Sequence, residues 1–180
     1  MSLDTIIQKR KSVHGFSDKK ADWRKIIKAI DAARYAPMAG NIFTLKFIVI
    51  DDAKKISLIA ESAQQHFIAN ASHAIVICSK PILAKIQFAE QGEMFIHQQA
   101  GAAIQNILLK LEEQGLASCW IGYFIEKDIK TLVNIPNEMK VEAILSVGHA
   151  SKLIKEREKA KSDLDAFLYF NKYGEKKMNS

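Results

Sequence analysis

The sequence predicts one α/β domain, a central sheet with helices on both faces. Three observations predict it. The strand-forming segments are nearly continuous apolar runs and lack the alternation of a sheet with one wet face. Helical stripes of apolar residues stand between those runs. The length of 180 residues suits a single domain, for which roughly 100–200 residues is usual.

The elements follow in chain order. Trp23, Ile26, Ile27, Ile30 and Ala33 recur at helical spacing, so a helix is expected over 22–34, stopped by Pro37. Leu45–Ile50 (LKFIVI) is β-rich and reads as a strand. Ile56, Ile59, Ala60, Ala63 and Phe67 form a second helical stripe. Residues 74–78 (AIVIC) read as a buried strand ended by Pro81. Ala100, Ala103, Ile104, Ile107, Leu108 and Leu111 give the longest helical pattern, closed by Gly115 as a C-terminal cap. Residues 116–121 and 141–147 are further strands, with a short helix over 126–133 between them. About four core strands are expected, with the longest helix central. Strand order and direction are open at this level.

Composition narrows the function classes. Hydrophobic residues make up 48% and charged residues 26%, enough apolar material for a core and too much for a disordered chain. Lys and Arg number 26 against 20 Asp and Glu, a formal charge of +6 and a pI near 9.2. The lysines are spread along the chain, so the clustered footprint of a nucleic-acid binder is missing and no such partner is expected. Cys78 and Cys119 lie in apolar runs and read as buried thiols in a reducing compartment. No run reaches ~18 apolar residues, so no membrane span or membrane partner is expected. The N-terminus places its charges after its apolar residues, the reverse of a secretory signal. A cytoplasmic location is the expectation.

Several chemistries lack their motifs. There is no GxGxxG after a strand, no GxxxxGK[ST] and no GxSxG. His14, His66, His73, His97 and His149 never fall at metal-ligand spacing, so no metal is expected. Any catalysis should come from a cofactor held by scattered residues.

Three constellations stand out. In Arg10-Lys11-Ser12-Val13-His14-Gly15-Phe16, two cations, a hydroxyl and an imidazole lie close together. Arg can grip phosphate oxygens bidentately, Lys adds a point charge and Ser a hydrogen bond. The same residues would also suit a solvated basic terminus. In 36–41 (APMAGN), Pro and Gly fix a turn and Asn41 follows, able to bond a heterocycle edge or its own turn. In 101–106 (GAAIQN) and 115–122 (GLASCWIG), small residues allow close approach by a helix or a flat ligand. Gly122 ends a strand where backbone N–H groups could face that ligand.

Taken together, in this order and spacing, these segments resemble the FMN-dependent nitroreductase family. The matching pieces are R-K-S-V-x-x-F from Arg10, A-A-R-Y-A-P-x-A-G-N up to Asn41, G-A-A-I-Q-N-I-L-L from Gly101, G-L-A-S-C-W-I-G up to Gly122, and 147–151 (VGHAS). The resemblance covers residues 5–151, with a weaker match to Tyr173. It implies a three-layer sandwich of helices on a mixed, mostly antiparallel sheet. It implies that Arg10, Lys11 and Ser12, with a late basic pair, hold the FMN phosphate. Lys159 and Lys161 fit that pair best, and Arg157 is the rival. Asn41 matches the residue that bonds the flavin's pyrimidine edge, and Ile121 and Gly122 the backbone facing N5 and O4. No side chain is implied as nucleophile or general base.

Two departures bear on activity. His14 stands where the family commonly has Arg or Lys beside the flavin N1–O2 edge, so the charge there should vary with pH. The family's N-x-Q-P-W continuation is here Asn41-Ile42-Phe43-Thr44-Leu45. The stretch 80–97 leaves little room for a long substrate-covering insertion.

The resemblance implies an oxidoreductase that passes hydride from a transiently bound NAD(P)H through FMN to a small acceptor, such as a nitroaromatic or quinone. The alternatives are flavin-dependent dehydrogenation or dehalogenation, or a non-catalytic flavin binder. A homodimer is also implied. Residues 1–162 would form the domain. Residues 163–180, with Leu164, Phe167, Leu168, Tyr169, Phe170 and Tyr173, would form an arm exchanged with the partner.

Overall fold

The computed structural model describes residues 1–153, 160 and 162–178. In chain order it places helices α1 (Leu3–Lys9) and α2 (Trp23–Asp31), strand β1 (Leu45–Ile50), helix α3 (Ala53–Ser62) and strand β2 (His73–Ser79). Then come helices α4 (Pro81–Phe88) and α5 (Gln91–Glu113), strand β3 (Ala117–Ile121), helix α6 (Glu126–Leu132), strand β4 (Lys140–Gly148) and helix α7 (Leu164–Phe167).

The four strands form one sheet in the order β1-β2-β4-β3, every neighbour antiparallel. Side chains alternate across it. Ile75, Ile77, Ala143, Leu145 and Val147 face one core, completed by α2 and α5 through Ile26, Ala29, Ile104, Ile107 and Leu111. Ala74, Val76, Cys78, Cys119 and Ile121 face the other, closed by α3 and α6 through Ile56, Ile59 and Ile129. All of β2 is buried, which accounts for its unbroken apolar run. Helices on both faces give the expected three layers.

Element ends depart from the sequence reading in physically sensible ways. α2 is capped by the Asp22 carboxylate, which accepts from the Arg24 amide at 2.9 Å, and its last turn tightens into a 3-10 segment, Ala32–Tyr35. Pro81 does not simply end a strand. It opens α4 at the helix's first turn, where its missing N–H costs nothing. α5 begins nine residues before Ala100; its first turns bury Gly92, Ile96 and Gln99 and expose Gln91, Met94, His97 and Gln98, so Ile96 alone carries the apolar stripe back toward the helix start. Gly115, with φ +73°, follows the α5 C-cap as expected.

Between Ile77 and Cys78 the β2–β4 register shifts, so Ile77 faces Ala143 but Cys78 faces Val141. The extra residue is Glu142. The bulge turns Val141 toward the α3–α6 core and aims the Glu142 carboxylate at the neighbouring elements. It accepts from the Ser79 hydroxyl at 2.6 Å and pairs with His97 Nδ1 at 2.7 Å. Lys140 and Lys85 both reach Glu93 beside it, so α4 and the start of α5 are pinned to the sheet by charge as well as packing.

Candidate functional site

After α1 the chain runs extended and is stitched between two strand ends. Ser12 forms an isolated parallel bridge with Ser118, and the Val13 amide donates to the Ser118 carbonyl at 3.0 Å. Phe16 bridges Ala150, and the Ser17 amide donates to the His149 carbonyl at 2.9 Å. Val13, Gly15 and Phe16 are buried, while Lys11, Ser12 and His14 are held at the surface.

This arrangement gathers Arg10, Ser12 and His14 around Cys119 on β3. Ser12 and the Arg10 charge both act to lower the pKa of the thiol. His14 Nε2 lies 3.7 Å from Cys119 Sγ, and its ring meets Phe67 edge-on at 4.7 Å. Burial pushes the Cys119 thiol up, outweighing Ser12 and Arg10, so it is a neutral thiol and no nucleophile. Lys11 is exposed between Arg10 and Ser12. Two residues beyond Cys119, Ile121 is buried, and Gly122 is exposed with open space where a Cβ would stand. Arg10, Lys11, Ser12, His14, Ile121 and Gly122 therefore share the β3 edge of the sheet. His149, at the rim, has its pKa lowered first by burial and then by the charges of Lys19 and Lys25. This edge presents positive charge, a hydroxyl and open backbone, the donors an organic phosphate needs.

Asn41 stands elsewhere. It ends a 3-10 turn before β1, with Gly40 at φ +58° and Asn41 at φ +59°. A left-handed non-glycine residue costs about 1–2 kcal/mol, so neighbouring contacts must hold it. Gln99 of α5 does so. Its Oε1 accepts from the Thr44 amide at 3.0 Å and the Thr44 hydroxyl at 2.6 Å, while Nε2 donates to the Ile42 carbonyl at 2.9 Å. From α4, Gln87 lies over Gly40, where a Cβ would come within 2.5 Å of its amide oxygen.

β1 and β3 are the two edges of the sheet. The start of β1 aligns through Ser79 with Lys140, whereas Ser118 aligns with Val147. Three strand spacings across and seven residues along put Asn41 and Ser12 on the order of 25 Å apart. A single chain does not bring them together. Lys159, Lys161 and their rival Arg157 lie outside the described residues. A depression of about 640 Å³ lies against α6, around Lys127, Lys130 and Asn134, and none of the predicted site residues lines it. Among the described residues no three His, Cys, Asp or Glu side chains gather as a metal site, and no helix is long and apolar enough to cross a membrane.

Sequence reasoning missed Gln99 and Gln87. Gln99 precedes the apolar stripe by which the helix is recognised, so its inward face carried no signal. Gln87 lies on the helix that Pro81 opens.

Comparison with known proteins agrees with this architecture. A protein of Archaeoglobus fulgidus named for NADH dehydrogenase/NAD(P)H nitroreductase activity is 32% identical over 149 residues, covering 80% of this chain and 83% of that protein. An iodotyrosine deiodinase of Thermotoga neapolitana is 26% identical over 163 residues, covering 82% and 88%. The solved FMN-dependent nitroreductase of Clostridium difficile R20291 superposes with a TM-score of 0.77 at 27% identity, covering 93% of this chain and 98% of that one. The model of the nitroreductase family matches residues 7–149. A match over most of the chain, with relatives sharing its fold, makes this protein an oxidoreductase of the nitroreductase family.

Proposed function

We propose that the protein is an FMN-dependent oxidoreductase that acts as a homodimer. The observation that carries this reading is the convergence of Arg10, Ser12 and His14 on the β3 edge that ends at the open backbone of Gly122. The donor set fits FMN. Arg10, Lys11 and Ser12 hold the phosphate, with Lys159 and Lys161 completing its charge. The Ile121–Gly122 backbone would meet the flavin's reactive edge, and His14 would stand by its N1–O2 edge.

When bound, the flavin would supply two-electron chemistry, relaying reducing equivalents from NAD(P)H to a small acceptor such as a nitroaromatic or quinone. The chain's own residues bind and orient. Arg10 and Lys11 neutralise phosphate charge, Gly122 leaves the face open to visiting molecules, and His14 presents its imidazole to one edge. None of them needs to act as a nucleophile.

Asn41 is too far from Ser12 to join the same ligand within one chain. A second copy resolves this, with the Asn41 corner of one protomer completing the β3 edge of the other. Exposed apolar side chains support a partner: Leu3 and Ile7 on α1, Trp120 on β3, Tyr123 beyond it, and Phe167 on α7. Among the described residues, nothing lies within contact distance of a Cβ position at Gly101 on α5, a bare face that a second helix can approach.

The deiodinase relative motivates a second reading, in which the acceptor is a halogenated phenol and two electrons with one proton from solvent replace the carbon–halogen bond by carbon–hydrogen, releasing halide. The test is purification followed by turnover. The reading expects yellow protein that releases FMN and oxidises NAD(P)H with a nitroaromatic or quinone. Halide release from an iodophenol without nitroaromatic turnover would select the second reading. FMN uptake with no turnover on any acceptor would leave only a flavin binder, and colourless protein that takes up no FMN would remove the whole proposal.

A further inference from the structure

We infer that Gln99 is a positioning residue that presets Asn41 for ligand recognition, an inference that rests on the flavin reading above. Gln99 is 4% exposed, and its amide is engaged at both ends, so it does not itself serve as a contact for a visiting molecule. Its partners identify its orientation. The Thr44 amide can only donate and the Ile42 carbonyl can only accept, so Oε1 faces the first and Nε2 the second. The clamp thus grips the chain one and three residues after Asn41.

Asn41 needs such a grip. Asn41 is exposed and is the second of two consecutive left-handed residues, and the turn has no side-chain cap of its own. Pro37 stiffens the approach to the turn. The Lys80 amide, donating to the Thr44 carbonyl at 3.0 Å, fixes the exit to β2. Gln99 ties the middle to α5, and Gln87 closes over Gly40 from α4. Where the family pattern continues N-x-Q-P-W, this chain has Ile42-Phe43-Thr44-Leu45, so no glutamine or proline of its own stiffens the loop. Gln99 supplies that constraint from another element. The requirement is chemical and not merely volumetric. One side chain must accept and donate at once, at a reach Asn lacks. Glu loses the donor and Met loses both.

A clip that only satisfies buried backbone groups would affect folding and nothing else. A positioning residue affects ligand binding through Asn41, and a double-mutant cycle separates the two. FMN is titrated into the wild type, Gln99→Met, Asn41→Ala and the double variant, each well below its own melting temperature. Loss of one neutral hydrogen bond corresponds to about a fivefold weaker Kd, expected for each single variant. The double variant should be no more than about twofold weaker than Asn41→Ala alone, because Gln99 acts through Asn41. Visible circular dichroism of the bound flavin should change alike in both single variants. Multiplying losses, or an unchanged Kd in Gln99→Met with a lowered melting temperature, would overturn the inference. If Gln99→Met does not fold, Gln99→Glu keeps the acceptor for Thr44, removes the donor for Ile42 and carries the same cycle under the same criteria. Wild-type protein that takes up no FMN would instead bring down the flavin reading and this inference with it.

Discussion

The Val13 amide donates to the Ser118 carbonyl at 3.0 Å, and this bond sets which residues of the N-terminal segment face outward. With Val13 and Phe16 turned into the core, Ser12 and His14 are left beside Cys119, and Arg10 close enough for its charge to reach the thiol. A basic terminus that could have been free in water is instead docked to a strand edge.

Arg10→Ala should therefore weaken FMN binding by about 1.5–3 kcal/mol, the usual worth of a hydrogen bond to a charged group. Fluorescence titration of FMN measures it. An unchanged Kd would remove Arg10 from the phosphate site.

His14→Arg places a permanent cation where a titratable ring now stands. The flavin midpoint potential should rise, because a fixed positive charge favours the anionic reduced form. Potentiometric titration of the flavin in the wild type and the variant measures it. An unmoved potential would mean that the ring serves only its contacts with Phe67 and Cys119.

Gly92→Ala tests the α4–α5 hairpin. A Cβ there would fall 2.6 Å from the Ala84 carbonyl oxygen, a backbone atom with no easy retreat. Overpacking of this kind costs about 1–3 kcal/mol, read as a lower midpoint in urea unfolding. Gly101→Ala is the control on the same helix. Its Cβ meets open space within the chain, so helix propensity should make that variant slightly more stable as a monomer, by up to about 1 kcal/mol.

His73 gives the fold a pH dependence. Burial is the main cause of its lowered pKa; Asp51 opposes the shift and Lys20 adds to it. The Ser72 hydroxyl donates to the Val147 carbonyl, so the 3.0 Å contact between Ser72 and His73 needs a proton on Nδ1 of the neutral ring. The unfolded ring takes up a second proton near pH 6.5, the folded ring only at lower pH. Stability should therefore hold above about pH 6.5, fall as pH drops through it, and stop falling below the folded pKa. His149 is shifted in the same direction and adds to the slope. Unfolding free energies of wild type and His73→Gln at pH 7.5 and 5.5 check the sign. A slope left unchanged in the variant would assign it elsewhere.

The sheet was the most legible part of the chain. β1 is bounded as its apolar run predicts, and β2 and β4 extend their runs by a residue or two, because a strand buried on both faces needs continuous hydrophobicity. α1 and α4 were not legible. Leu3 and Ile7 are exposed and Ile6 alone is buried on α1, while Ile82 and Ile86 of α4 face outward, so neither helix shows an inward stripe. The Arg10–His14 cluster was legible as a set of donors, but its docking depends on backbone bonds to Ser118 that no side-chain pattern encodes. Asn41 was legible as a turn residue. Its distance from Ser12 follows from strand order, which local periodicity does not carry.

The C-terminal segment offers the sharpest test of assembly. The Asp163 carboxylate caps α7 by accepting from the Asp165 amide at 3.2 Å. Beyond it, the Tyr169 and Tyr173 rings lie 4.6 Å apart, and Lys176 Nζ sits 4.0 Å from the Tyr169 centroid while reaching the Leu168 and Asp165 carbonyls. The segment is thus organised on itself, yet Leu164, Phe167 and Tyr173 remain exposed, Tyr173 at 90%. An ordered terminal segment with bare aromatic side chains suits a surface that another chain supplies. Removing residues 163–180 should convert the dimer to monomer in sedimentation equilibrium and, because the Asn41 corner would then come from no one, release FMN on gel filtration. The remaining domain should keep its far-ultraviolet circular dichroism, since both cores are built before residue 150. A truncated protein that stays dimeric and yellow would show that the segment packs only on its own chain.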